Sequence, residues 1–127
     1  MAQRLFWICL AGALGTGARY LVGLWATQRF GPAFPYGTLI VNVVGCFLIA
    51  VILQTALTIS TFSPTLRLAL TVGFMGGLTT YSSFAYETTA LFRGGSSAAA
   101  LANFGVTTLA CFLAVALGLA AARALGA

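Results

Sequence analysis

Four long apolar runs constrain this chain more than any other feature of its sequence. They cover about residues 5–26, 36–57, 66–91 and 97–122, and segments rich in glycine, proline and serine separate them. A helix needs about 20 apolar residues to cross the hydrocarbon core of a bilayer. The runs do not alternate as barrel strands do, and open sheet edges do not occur in lipid. We therefore predict four membrane-spanning helices in a single domain, residues 1–127.

The composition excludes several classes of protein. Hydrophobic residues make up 61% of the 127 residues and charged residues only 6%, whereas a soluble domain carries about 25% charged residues. The six basic residues are scattered singly, so no basic face is available for nucleic acid. One carboxylate and no histidine leave no acid–base pair for an enzyme. The three cysteines lie inside apolar runs, where packing is a more common role than disulfide formation.

The arginines give almost no orientation signal. With four spans, Arg4, Arg67 and Arg123 fall on one side of the membrane, and Arg29 and Arg93 fall on the other. A clear excess of basic residues normally marks the cytoplasmic side. The near tie allows two interpretations. In the first, the chain inserts in both orientations and pairs as an antiparallel homodimer. In the second, the weak bias still selects one orientation.

The third apolar run contains the stretch GFMGGLTTYSSFAYET, residues 73–88, which is unusually rich in glycine and hydroxyl side chains. Three glycines followed by Thr79 and Thr80 favour a local interruption of the helix. Irregular backbone at membrane depth is tolerated only where it is buried in protein or lines a cavity, and interrupted spans form ion sites in transporters. The alternative is that the glycines permit close packing while the hydroxyls bond back to their own helix.

Two further features of the apolar runs combine polar and aromatic groups. Asn42 lies well inside the second run, where its amide either bonds to another helix or faces an ion-carrying path. Tyr81 and Phe84 are three residues apart and so share one helical face. Aromatic rings have electropositive edges, so ring edges and an amide donor could hold a small anion weakly enough to release it.

The remaining polar residues leave alternatives open. Glu87 lies near the end of the third run, where it faces either the bundle or the membrane interface. Asn103, Thr107 and Cys111 recur at intervals of four and form either a packing seam or a pore wall. Arg19 lies about 22 Å of helix rise beyond Arg4, where it either extends to the interface or attracts anions into a vestibule.

Two of these motifs together resemble a known family. The stretches GTLIVNVVG, residues 37–45, and GFMGGLTTYSSFAYET, with Arg19 upstream, resemble the bacterial fluoride channels of the Fluc or CrcB family over essentially the whole chain. The resemblance implies an all-α integral membrane protein with four transmembrane helices, of which the third is broken. It also implies an antiparallel, dual-topology homodimer with two fluoride pores in the bacterial cytoplasmic (inner) membrane.

The resemblance also implies roles for individual residues. Asn42 would face the fluoride pore, and the ring edges of Tyr81 and Phe84 would contact the ion, although the family usually has phenylalanine at the first aromatic position. A vestibule would contain Arg19. The polar track along the pore would comprise the side chains of Thr38, Ser82, Ser83, Glu87 and Thr107.

The implied ligands and partners are few. A structural sodium ion would lie at the dimer interface, held by the backbone carbonyls of Gly76 and Thr79 from each subunit. The partners would be fluoride, the lipid bilayer and a second, antiparallel copy of the chain, with no nucleic acid.

Two other membrane functions compete with a fluoride channel. A small multidrug-type antiporter is also a four-span, dual-topology dimer and couples transport to protons, but it needs a carboxylate in the first span, where this chain has none. A non-conducting subunit of a larger membrane assembly is the second alternative, which a permeability assay on the pure protein would distinguish.

Overall fold

The structure is a computed structural model that describes residues 1–126, so Ala127 at the end of the predicted domain lies outside the described residues. All regular secondary structure in residues 1–126 is helical. The segments, in chain order, are α1 (Ala2–Phe30), α2 (Tyr36–Thr58), α3 (Pro64–Leu68), a π-helical segment (Ala69–Met75), α4 (Gly76–Leu78), α5 (Tyr81–Arg93) and α6 (Ser97–Ala124).

Three of these helices, α1, α2 and α6, are long and apolar enough to cross a membrane. They contain 29, 23 and 28 residues, and only 6%, 22% and 17% of the residues in their apolar windows are buried inside the single chain. Apolar surface on this scale requires lipid or another protein around it. The prediction of an all-helical, multi-pass membrane protein is confirmed at this level, and the fourth span stays a prediction.

Local sequence explains where several helices begin and end. Gly31 follows α1 with a φ of 81°, a conformation that favours glycine, and its N–H donates to the carbonyl oxygen of Thr27 at 2.9 Å. Before α3, the Ser63 hydroxyl accepts a hydrogen bond from the N–H of Leu66, and Pro64 occupies the first helical position. α1 therefore ends, and α3 begins, at breaker residues between the apolar runs.

Glycines allow α1 to pack directly against the segments of the third apolar run. A side chain at Gly15 would collide with the carbonyl oxygen of Phe74, and one at Gly77 would collide with the carbonyl oxygen of Gly12. A small buried cluster of Val41, Met75 and Leu78 fills the space between α2 and this pair. Close backbone contact of this kind is typical of helices that associate in lipid, because the hydrophobic effect does not drive two helices together there.

The most extensive helix pair is that of α2 and α6. Gly118 on α6 permits it, because a Cβ at this position would lie 2.5 Å from the carbonyl oxygen of Phe47 and 2.9 Å from Cβ of Ala50. A Cβ on Gly105, in the same helix, would have no neighbour within 4 Å in the chain. The two glycines therefore differ in what they contribute: one permits contact, and the other only weakens its helix.

This difference predicts opposite effects for the same substitution. We expect Gly118→Ala to lower the free energy of unfolding by about 1–3 kcal/mol because it overpacks the contact between α2 and α6. Gly105→Ala should leave it unchanged or raise it by up to about 1 kcal/mol, since alanine favours helix. Thermal unfolding of both variants in detergent micelles, followed by circular dichroism, measures the two midpoints. Equal midpoints would contradict this account of Gly118.

Candidate functional site

The helical segments of the third apolar run are interrupted at Thr79 and Thr80. Both residues have extended backbone, with ψ angles of 156° and 115°. The side chain of Asn42, on α2, bonds to both polar groups of the Thr80 backbone: Oδ1 accepts from the N–H at 2.7 Å, and Nδ2 donates to the carbonyl oxygen at 3.0 Å. Because Asn42 and Thr80 are buried, water cannot bond to the Thr80 backbone, and the Asn42 side chain supplies both of the hydrogen bonds that this backbone requires.

The interruption releases two backbone carbonyls from the helical hydrogen-bond pattern. In a continuous α-helix each N–H donates to the carbonyl four residues earlier. The N–H of Thr80 donates to Asn42 and therefore not to Gly76, and the N–H of Ser83 donates to the Thr80 hydroxyl at 3.2 Å and therefore not to Thr79. The carbonyls of Gly76 and Thr79 are thus available to another ligand, and carbonyl oxygen is a donor suited to hard cations.

The Thr80 hydroxyl organises the first turn of α5. As the N-cap it accepts from the N–H of Ser83, and its oxygen lies 3.1 Å from Oγ of Ser83 and 3.2 Å from Oγ of Ser82. Ser83 is half-buried and Ser82 is exposed. The structure therefore gathers the two predicted track serines around Thr80, for which the sequence predicted only a part in the helix interruption. Threonine is favoured at the N-cap, so its place directly after the predicted break was an available capping signal.

A cavity of about 280 Å³ opens beside the interruption, between α2, α5 and α6. Four predicted pore residues line it together: Asn42, Tyr81, Phe84 and Thr107. The ring centroids of Tyr81 and Phe84 are 5.7 Å apart with their planes tilted by 59°. Phe84 is 6% exposed and stacks on Phe104, whereas Tyr81 is 79% exposed. One ring is therefore fixed by its neighbours, and the other projects from the single chain.

Two other predicted residues lie together at a different place. The Thr38 hydroxyl donates to Oε1 of Glu87 at 2.8 Å, and both residues line a larger cavity of about 530 Å³ near the connection between α1 and α2. Within residues 1–126, the buried Oε2 of Glu87 has no hydrogen-bond partner. Ser83 and Glu87 are four residues apart on α5 and therefore share a face. This face of α5 runs from the smaller cavity towards the larger one.

The stripe on α6 divides between packing and cavity lining. Nδ2 of Asn103, which is 1% exposed, donates to the Thr88 hydroxyl at 2.8 Å, and the Thr107 hydroxyl donates to Oδ1 of Asn103 at 3.2 Å. Asn103 thus joins α6 to α5, while Thr107 and Cys111 border the smaller cavity. Thr88, which sequence reasoning missed, receives this bond and itself donates to the carbonyl oxygen of Phe84 at 2.7 Å.

The two other predicted positions lie apart from these groups. Arg19 is half-buried on α1, outside the residues that line either cavity. Gly76 is exposed, and a Cβ added there would come no closer than 4.0 Å to the carbonyl oxygen of Thr71. Nothing in the described chain therefore covers the face on which Gly76 lies.

Comparisons with known proteins agree on one family. The model of the family described as CrcB-like protein, Camphor Resistance (CrcB), matches residues 6–119. A protein of Sorangium cellulosum (strain So ce56) is 54% identical over 123 residues, or 97% of each chain, and one of Anaeromyxobacter dehalogenans (strain 2CP-1 / ATCC BAA-258) is 55% identical over 87% of this chain and 88% of its own. A protein of Citrifermentans bemidjiense (strain ATCC BAA-1014 / DSM 16622 / JCM 12645 / Bem) is 44% identical over 97% of this chain and 99% of its own. All three relatives are named "Fluoride-specific ion channel FluC".

The bonds of Asn42 predict which substitution opens the interruption. Asn42→Leu should leave the N–H and carbonyl of Thr80 without partners, at about 1–3 kcal/mol for each group, and should accelerate hydrogen exchange of the Thr80 amide. The Thr79 amide, which donates to Met75 at 2.9 Å, serves as an internal reference. Native-state hydrogen exchange measured by mass spectrometry in detergent gives both rates.

Asn103→Leu is the matched control for this measurement. It also removes a buried amide, but one whose bonds lie between α5 and α6. We expect it to destabilise the protein while the Thr80 amide keeps its protection relative to Thr79. If both variants exchange Thr80 at the same rate, Asn42 does not hold the interruption.

Proposed function

This chain belongs to the CrcB-like protein family, and from that membership we propose that it is a fluoride-selective channel through which fluoride leaves the cytoplasm passively. The observation that carries the proposal is the 54% identity, over 97% of both chains, to a protein named as a fluoride-specific ion channel. The relatives are named as channels, so the chain belongs with channel proteins and not with enzymes. Their names give no support to the antiporter alternative.

The proposed assembly is an antiparallel, dual-topology homodimer of four-span chains in the bacterial inner membrane. In this proposal the third span comprises α3, the π-helical segment, α4 and α5. The near tie of arginines across the predicted loops supports insertion in both orientations. The uncovered face at Gly76 and the 79% exposure of Tyr81 support the presence of a second copy, because both lie at the interruption rather than on a long lipid-facing helix.

A fluoride path must replace the water that the ion loses. Moving even a carboxylate-sized ion into a medium of low dielectric constant costs on the order of 20 kcal/mol, and a smaller ion costs more. No single donor offsets that cost, so we propose a series of neutral contacts: the amide of Asn42, the ring edges of Tyr81 and Phe84, and then hydroxyls. Ring edges carry only partial positive charge, which would let the ion leave again.

We propose that the path continues along α5 from the smaller cavity to the larger one. Ser82, Ser83 and Thr107 would contribute hydroxyls near the smaller cavity, and Thr38 and Glu87 would contribute the contacts at the larger cavity. A carboxyl group donates a hydrogen bond to an anion only in its protonated form. The lone buried Oε2 of Glu87 supports such a donor role, because it has no partner within residues 1–126. Arg19 would attract fluoride electrostatically from a vestibule outside this path.

We also propose a structural sodium ion between the two copies. The carbonyls of Gly76 and Thr79 fit this role, because the interruption removes their helical donors and oxygen is the ligand that sodium prefers. Each chain would supply two carbonyls, so the complete ligand set would require both copies. When bound, the ion would supply a fixed positive charge that holds the two interruptions together.

Reconstituted protein tests the proposed conduction directly. Liposomes that contain the pure protein should release fluoride rapidly while they retain chloride, because the chain of small donors compensates fluoride for lost water and does not fit the larger ion. A fluoride electrode and a chloride electrode measure the two rates, and empty liposomes give the background. Fluoride release no faster than this background would refute the function.

Phe84→Ile extends this test to the proposed path. Isoleucine keeps the apolar volume but has no ring edge, so fluoride release should fall to the background of empty liposomes. Phe92→Ile is the matched control, because Phe92 is an exposed residue of the same helix that lines neither cavity. It should keep the unaltered rate. Equal release by both variants would remove the ring-edge contact from the path.

Gly76→Val tests the second copy and the proposed cation together. A Cβ at Gly76 meets nothing within its own chain closer than 4.0 Å, so the variant should fold. If a second copy approaches this face, overpacking of about 1–3 kcal/mol should weaken dimerisation about 5- to 150-fold and lower the flux. Cross-linking in detergent, titrated over protein concentration with and without sodium, measures the dimer.

Gly17→Val is the control for this titration. A Cβ at Gly17 also has no neighbour within 4 Å in its own chain, but Gly17 belongs to α1 and not to the interrupted segment. We expect its dimer to retain the stability of the unaltered protein. Unchanged dimerisation and flux in Gly76→Val would show that neither a second copy nor a cation occupies this face.

A further inference from the structure

The hydroxyls at the wall of the smaller cavity differ in whether their protons are free. Four threonines line this cavity, namely Thr79, Thr80, Thr107 and Thr108. The Thr79 hydroxyl donates to the carbonyl oxygen of Met75 at 2.8 Å. The Thr80 hydroxyl donates to Oγ of Ser83 at 3.1 Å. Because a hydroxyl has only one proton to donate, Thr79 and Thr80 cannot also donate to a ligand in the cavity while these bonds hold.

The proton of Thr107 is committed by a chain of hydrogen bonds whose direction is fixed. At the far end, the Thr88 hydroxyl lies 2.7 Å from the carbonyl oxygen of Phe84, which can only accept, so the Thr88 proton lies between these two oxygens. Thr88 must then accept from Asn103, which turns Nδ2 towards it at 2.8 Å. Oδ1 of Asn103 is left to face Thr107, which donates to it at 3.2 Å. The Thr107 oxygen therefore has only lone pairs left for the cavity.

Thr108 differs from these three threonines. Threonine in a helix commonly bonds back to the carbonyl four residues earlier, as Thr71 and Thr89 do. The Thr108 hydroxyl makes no such bond to Phe104, and no other side-chain hydrogen bond within residues 1–126 involves it. Thr108 is half-buried, whereas Thr107 is only 4% exposed. Its proton is therefore both free and accessible from the cavity.

We propose that Thr108 donates a hydrogen bond from α6 to the anion in the smaller cavity, and that Asn103 is a positioning residue that withholds the Thr107 proton. This inference deepens the proposed function and rests on it. With its proton on Asn103, the Thr107 oxygen presents a partial negative charge to the cavity, which disfavours an anion. Thr108, the next residue of the same helix, presents a proton there instead.

The three walls of the cavity would then each offer an electropositive contact. From α2, Asn42 has a second N–H on Nδ2, because an amide carries two and only one of them donates to Thr80. From α5 comes the ring edge of Phe84, and from α6 comes the Thr108 hydroxyl. An anion that has lost its water would thus find donors on three sides, and Thr107 would act in the path through its bond to Asn103.

Thr108→Val tests the donor, because it replaces the hydroxyl by a methyl group of similar size. Hydrogen bonds to charged groups contribute more than those between neutral groups, so the purified protein should bind fluoride about tenfold more weakly, or worse. Fluoride release from liposomes should slow by about the same factor. Line broadening of fluoride in ¹⁹F NMR measures binding in detergent, and a fluoride electrode measures release. Unchanged binding and release would overturn the donor role.

Two further variants control for packing and for the loss of a threonine. Thr108→Ser keeps the hydroxyl and should keep both binding and release. Thr89→Val removes an exposed hydroxyl on α5 that donates to the carbonyl oxygen of Ala85 and lines neither cavity. It should also leave both measurements unchanged. A loss in Thr108→Ser as large as that in Thr108→Val would assign the effect to packing and overturn the proposal.

Thermal unfolding tests the fixed direction of the chain of bonds without reference to fluoride. Thr107→Val should lower the midpoint, because Oδ1 of Asn103, a residue that is 1% exposed, loses its donor. Thr108→Val should keep or raise the midpoint, since its hydroxyl has no partner in residues 1–126. Circular dichroism in detergent measures both. Equal midpoints would overturn the role of Asn103, and the Thr108 variants decide the donor even if Thr107→Val does not fold.

Binding and release together separate this inference from the proposed function. Fluoride binding that depends on Thr108, in a protein that releases no fluoride, would sustain the donor and refute the channel. Full release by Thr108→Val would sustain the channel and overturn the donor. A protein that neither binds nor releases fluoride would overturn both.

Discussion

The two hydrogen bonds between Asn42 and the Thr80 backbone are the interaction on which the rest of the site depends. Buried backbone groups that lose their helical partners cost several kcal/mol each in lipid. Asn42 satisfies both groups of one residue, at 2.7 and 3.0 Å, so the chain can leave the helix where its backbone is buried. An interruption that would otherwise be prohibitively unstable therefore becomes a fixed feature of the fold.

The same interruption serves two structures at once. On one side it places Thr79, Thr80 and Tyr81 along the smaller cavity, and on the other it frees the carbonyls of Gly76 and Thr79 from helical bonding. The Thr80 hydroxyl then caps α5, which carries Phe84 and Glu87. The proposed cation site and the proposed anion path would thus share one short segment of backbone, so a structural change in one would also alter the geometry of the other.

The helices of this fold could be predicted from the sequence better than the contacts between them. Apolar runs predicted the long helices, although α1 extends to 2–30 where 5–26 was expected, because helix continues past the apolar core into flanking polar residues. The glycines and threonines of the third run favoured an interruption there. Its bonding to Asn42, 38 residues away, and the bond from Thr38 to Glu87, 49 residues away, depend on how helices pack, which local pattern does not encode.

The dependence of the interruption on α2 also bears on the order in which the protein matures. The third apolar run cannot complete its backbone bonding by itself, because the partner of Thr80 belongs to an earlier helix. α2 precedes that run in the chain and therefore leaves the ribosome first. The partner of Thr80 is thus already made when the third run emerges, whereas Thr88 on α5 meets Asn103 only after α6 has been made. Synthesis from the amino terminus supplies one buried amide contact before the segment that needs it and the other after it.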